Sequence, residues 1–144
     1  MQLVRSFEHG NAALVGWGIR VMLVTTDGAD GVTARRLASL GGQVETVDEL
    51  FTALGAVMDD PLGYQLLVID ADCIGGIEAG RRAFSMLGNA ATKVPVILVS
   101  RDCTDQTFPE DRSTPAMLRA PLSAVSLRVG FEHALRDRLS ARLF

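Results

Sequence analysis

The chain of 144 residues contains one lysine, Lys93, among its 14 basic residues, so arginine carries almost all of its positive charge. Chemistry that needs a lysine must use Lys93 or be absent, which speaks against a Schiff-base enzyme and a P-loop nucleotidase. Basic runs and tails are missing too, and the formal charge is −3. With no cluster of cations to neutralise phosphates, neither a nucleic-acid partner nor an anionic membrane surface is expected. Cysteine is confined to Cys73 and Cys103, with no CxxC, HExxH or paired-His spacing around them. Neither a zinc site nor a disulfide framework is signalled, and a reducing cytoplasm is the expected location. The longest apolar stretches run only five to seven residues, and Arg5, Glu8 and His9 stand where a signal peptide needs its apolar core. A soluble, unexported protein is expected.

What is present is the material for a core. Hydrophobic residues make up 48% of the chain, including six phenylalanines, which suits one compact domain rather than two. From about residue 20, short β-branched runs alternate with amphipathic stretches. The runs are residues 20–26, 43–47, 65–70, 94–100 and 115–119. Leu66 to Ile69 and Val96 to Val99 are apolar without a break, as in parallel strands buried on both faces. Between them the period becomes helical. Asp30 can cap a helix carrying Val32, Leu37 and Leu40 and ending at Gly41-Gly42. Asp48 opens a second with Leu50, Phe51, Leu54 and Val57 along one stripe. A third starts near Gly76, and the last follows Pro121-Leu-Ser123 with Leu127, Phe131, Leu135 and Leu139 four apart. Five β/α units in this order specify a doubly wound α/β layer sandwich. The unit between Ser100 and Pro115 is defective: Phe108 is its lone apolar anchor and Pro109 interrupts it, so a loop or single turn replaces the fourth helix. Residues 1–19 form a separate arm, either frayed or ordered as part of a dimer contact, and 20–144 form the domain.

In an open parallel sheet, ligands collect at the carboxyl ends of the strands. The residues there are Thr25, Thr26 and Asp27, then Asp70 and Asp72, then Ser100, then Ala120 and Pro121. This pattern resembles the receiver domain of bacterial two-component response regulators over roughly residues 20–140. Tyr64-Gln-Leu-Leu-Val-Ile-Asp70 is similar to the family's third strand, which ends in the phosphoacceptor aspartate. Pro95-Val-Ile-Leu-Val-Ser100 is similar to the fourth, ending in the switch hydroxyl, and Leu118-Arg-Ala-Pro121 to the fifth. The 44 residues from Thr26 to Asp70 and 30 from Asp70 to Ser100 keep the family's register. The resemblance implies a flavodoxin-like five-stranded parallel sheet of order 2-1-3-4-5, with Asp70 at the phosphoacceptor position and Ser100 and Met117 at the switch positions.

The departures are chemical. Where receivers close the first strand with two acids that hold Mg²⁺, this chain has Thr25 and Thr26, and neutral hydroxyls are poor substitutes. The lysine before the fifth-strand proline is replaced by Ala120, and the aromatic switch residue by Met117. The expectation is a stand-alone receiver-like signalling module, not an enzyme, working without cofactor through contact with a kinase, an output protein or a second copy. The alternative is a working phosphoacceptor in which Asp27 and Asp72 supply the missing acids, Arg119 stands in for the lysine, and Mg²⁺ is required. A third reading is a flavodoxin-like small-molecule-binding domain. Cys73 and Cys103 follow neighbouring strands and could form a redox pair. His133 is expected to be a solvated helix residue.

Overall fold

The computed structural model describes residues 18–103, 105–109, 114–120 and 123–143, with side chains described as far as residue 134. The strands are β1 (Arg20–Val24), β2 (Gln43–Val47), β3 (Leu66–Asp70), β4 (Val96–Ser100) and β5 (Ala116–Arg119). They form one parallel sheet of order β2-β1-β3-β4-β5. The helices are α1 (Val32–Ser39), α2 (Leu50–Asp59), α3 (Ile77–Leu87) and α4 (Ala124–Leu143). This is the expected doubly wound sheet in the expected order. The arm falls mostly outside the described residues, but Ile19 packs against the core, and its carbonyl accepts from Gln43 N at 2.7 Å.

Successive strand residues face opposite sides of a sheet, and the uninterrupted apolar runs therefore feed two cores at once. Val21, Leu23, Leu66, Val68, Ile97, Val99 and Leu118 pack under α1 and α4 with Leu37, Leu127 and Phe131. Met22, Val24, Leu67, Ile69, Val96 and Leu98 pack under α2 and α3 with Leu54, Val57, Ala83 and Leu87. Gly130 lets α4 lie close to the sheet: a Cβ there would stand 3.2 Å from Leu118 Cδ1.

Two helix starts differ from the sequence expectation. Gly31, not Asp30, occupies the N-cap of α1, without a side-chain bond, and Val32 is 55% exposed. Ala34 and Leu37, three apart, face the sheet, and Val32 lies about 200° around the helix from Ala34. At α2 the cap is Glu49 rather than Asp48, accepting from Phe51 N at 3.0 Å and Thr52 N at 2.6 Å. The Thr52 hydroxyl, which donates to the same carboxylate at 2.7 Å, and then these two backbone bonds hold the Glu49 carboxyl below its ordinary range. Positions 50, 53, 54 and 57 complete the apolar stripe, leaving Phe51 on its flank and 63% exposed.

The link from β4 to β5 contains no helix among its described residues. Instead Thr107 pairs antiparallel with Met117 on the outer edge of β5, through bonds of 2.9 and 3.0 Å. Phe108 turns back onto the core under α4. His133 is not a solvated surface residue: its Nε2 lies 2.6 Å from Pro109 O, and its ring centroid is 5.8 Å from that of Phe108. With Pro109 blocking a helix, the segment gains its order from these contacts instead.

Phe131 is fully buried where α4 meets β4 and β5. Phe131→Ala should cost about 3–5 kcal/mol of unfolding free energy, measured by urea denaturation. A loss under about 1 kcal/mol, the level of a surface change, would contradict this account of the core.

Candidate functional site

Four strand ends converge on one side of the sheet, and the chain leaves β3 through a turn of 3₁₀ helix (Ala71–Cys73). Ala71 is fully buried, and α3 comes close beneath it because a Cβ on Gly80 would stand 3.1 Å from the Ala71 methyl. The chain then passes through Gly75 and Gly76 at φ +114° and +108°, a region that side chains with a Cβ rarely adopt. Gly76 N bonds to Ala71 O at 2.7 Å, which closes the turn.

Asp70, the last residue of β3, is half-buried. Its Oδ2 accepts from Thr25 Oγ1 at 3.4 Å and from Cys73 Sγ at 3.1 Å. Thr26 Oγ1 and N in turn reach Cys73 Sγ at 3.1 and 3.5 Å, and Thr25 Oγ1 lies 3.9 Å from the same sulfur. Thr25, Thr26 and Asp70 therefore meet around one thiol. Asp27 contributes its amide, which donates to Thr25 Oγ1 at 3.2 Å, while its side chain is exposed.

Asp72 belongs to a second group. Ser100 Oγ donates to its Oδ1 at 2.6 Å, Arg101 N donates to Oδ2 at 2.9 Å, and Arg101 Nε lies 3.4 Å from Oδ2. Ser100 is fully buried and its Oγ also accepts from Asp102 N at 3.1 Å. Burial pushes the Asp72 carboxyl up, but the Ser100 and Arg101 hydrogen bonds and the Arg101 charge outweigh it and hold the group below its ordinary range.

At the end of β5, Ala120 N donates to Ser100 O at 3.0 Å and the Ala120 methyl packs on the core under α4. Pro121 lies outside the described residues. Met117 pairs with Leu98 in the sheet and packs on the α2/α3 side, with Arg81 Nη2 3.7 Å from its sulfur. Arg119 donates from Nε to Cys103 O at 3.0 Å and lines a polar cavity of about 400 Å³ with Gln106, Ser123 and Ser126. Both cysteines are free thiols: Cys73 serves the Asp70 cluster, and Cys103 is buried, with burial pushing its thiol up.

The sequence reading missed Cys73 as a neighbour of Asp70. The available signal was its spacing, because positions three apart eclipse in a 3₁₀ turn. The donors to Asp70 are thus one neutral hydroxyl, of Thr25, and the Cys73 thiol, with the Thr26 hydroxyl behind the thiol, whereas Mg²⁺ favours carboxylate oxygens and water in an octahedral set.

Neither a protein-family model nor a curated protein matches this chain. Solved structures do. A response-regulator receiver domain protein from Clostridium thermocellum superposes with a TM-score of 0.62 at 13% identity, over 85% of this chain and 98% of that one. The receiver domain of the sensor histidine kinase PA1611 from Pseudomonas aeruginosa PAO1, with magnesium coordinated in its active-site cleft, gives 0.62 at 18%, over 83% and 98%. The response regulator PhyR from Brucella abortus gives 0.61 at 15%, over 99% of this chain and 58% of that one. The chain has the receiver fold.

The Asp72 carboxyl titrates lower in the folded chain than in the unfolded one, so the folded chain binds fewer protons as the pH falls through this range. Its stabilisation is complete above the unfolded carboxyl value of about 4 and is lost as the pH falls through the lower folded value. Ser100→Ala should cost about 1.5–3 kcal/mol at pH 7, and its gap to the parent should narrow below about pH 4. Urea unfolding of both proteins across that range measures it. Thiol alkylation followed by mass analysis should modify Cys73 before the buried Cys103.

Proposed function

We propose that this receiver-fold chain is a signalling module that acts through protein contact and does not carry out Mg²⁺-dependent phosphotransfer. The observation that supports this most is the set of groups around Asp70: Thr25 and Cys73 bond its carboxylate directly, and Thr26 bonds the Cys73 sulfur. Phosphoryl transfer depends on positioning and on neutralising charge as it develops. A cation drawn to this pocket meets one carboxylate rather than three. The compensating acids are both otherwise disposed: Asp27 turns to solvent, and Asp72 is held by Ser100 and Arg101. Ala120 brings no charge to answer phosphoryl oxygens, and Arg119 is held at the Cys103 carbonyl.

Ser100 has also lost the freedom a switch hydroxyl needs. Its O–H donates to Asp72, and its oxygen accepts from Asp102 N. A carboxylate paired in this way ties the turn after β3 to the end of β4. In this reading a kinase, an output protein or a second copy recognises the surface that this pairing holds together.

Incubation with Mg²⁺ and acetyl phosphate, followed by intact-mass measurement, should give no phosphoryl adduct that depends on Asp70. A gain of one phosphoryl group, lost in Asp70→Asn, would overturn the reading. The combined variant Thr25→Asp, Thr26→Asp, Ala120→Lys should acquire such an adduct, provided its thermal unfolding stays cooperative.

A further inference from the structure

On the sheet face that carries α2 and α3 lies an apolar groove of about 600 Å³. Leu50 and Phe51 form one wall, Ala79, Arg82 and Met86 the other, and Ile74 joins them at the end nearest Cys73. Phe51 is 63% exposed and Met86 48%, a large outlay of apolar surface on one side of a small domain. From Ala79 to Met86 the wall runs seven residues, about 10 Å at the helical rise, so the groove is elongated.

Its charge is one-sided. Among the described residues Arg82 is the only ionisable one lining it, and it makes no hydrogen bond or ion pair with any of them. The adjacent Arg81 differs, being 3.6 Å from Glu78. The exposed Arg82 guanidinium stands beside this apolar surface, where it can grip a partner's carboxylate through two parallel N–H bonds. Among the described residues no acid lines the groove, so a carboxylate for Arg82 has to come from outside it.

We propose that this groove binds an amphipathic helix of a partner protein, with apolar side chains at i, i+3 or i+4 seated between Phe51 and Met86 and an Asp or Glu meeting Arg82. The proposal rests on the reading that the chain works through protein contact, and it gives that contact a place and a chemistry. Ile74 directly follows Cys73, so the groove begins where the Asp70 cluster ends.

The test is a display library of random helix-forming peptides panned against the whole chain. Enriched peptides should carry apolar residues at helical spacing together with Asp or Glu. Phe51→Asp should abolish their binding. Arg82→Glu should weaken it about tenfold, as expected for one charge-assisted pair, and enrich Lys- or Arg-bearing peptides instead. All three positions face solvent, and Met86→Asp on the opposite wall provides an independent variant if Phe51→Asp alters thermal unfolding. Absence of enrichment, peptides without acids, binding indifferent to the variants, or a concentration-dependent dimer abolished by Phe51→Asp in sedimentation would each overturn the proposal. None of these readouts depends on whether Asp70 gains a phosphoryl group, so failure here is distinguishable from failure of the functional reading.

Discussion

A strand covered by helices on both faces can bond its backbone only to neighbouring strands, and leaving those groups unpaired in a dry interior costs more than most side-chain contacts return. Here β3 is that strand, buried over Leu66 to Ile69 and paired on one side with β1 and on the other with β4. The register this enforces brings Thr25 beside Asp70 and sets the ends of β3 and β4 together. The two cores under α1/α4 and α2/α3 lock the alternation, since a slip by one residue would exchange every side chain between them.

The same constraint explains why two carboxylates two residues apart have separate surroundings. Asp70 is still in the sheet and turns to the β1 side, toward a hydroxyl and a thiol. Asp72 has entered the 3₁₀ turn and reaches the β4 side, where buried Ser100 and the Arg101 amide receive it. The turn divides what a linear reading treats as one acidic patch. It also brings the Cys73 thiol within bonding distance of the Asp70 carboxylate.

The central strands β3 and β4 were legible as continuous apolar runs and β2 and β5 as short β-branched or apolar stretches between turn residues, whereas the sheet order came from the resemblance to receivers and not from the runs themselves. That the described residues of the β4–β5 link hold no helix was legible from Pro109 and the scarcity of apolar residues around Phe108. The identities of the residues at the strand ends were legible too, but their partners were not. Asp70 with Cys73, Asp72 with Ser100, and His133 with Pro109 join groups through side-chain geometry that has no periodic signature. Phe51 and Val32 were misread for a related reason: an apolar residue counts toward a stripe in sequence even when it lies on the flank of a helix whose stripe is already complete.

The single rung between Thr107 and Met117 has a consequence for how the molecule behaves in a crowd. Met117 has no N–H or C=O left to offer a stranger at the middle of β5, because the chain has spent both on its own returning segment. At the opposite border, β2 carries exposed Gln43 and Glu45, with the latter held near Arg20, so hydration and charge discourage a flat approach. The β5 border is thus closed by the chain itself and the β2 border is guarded by polar and charged side chains, which disfavours the joining of copies into a continuous ladder.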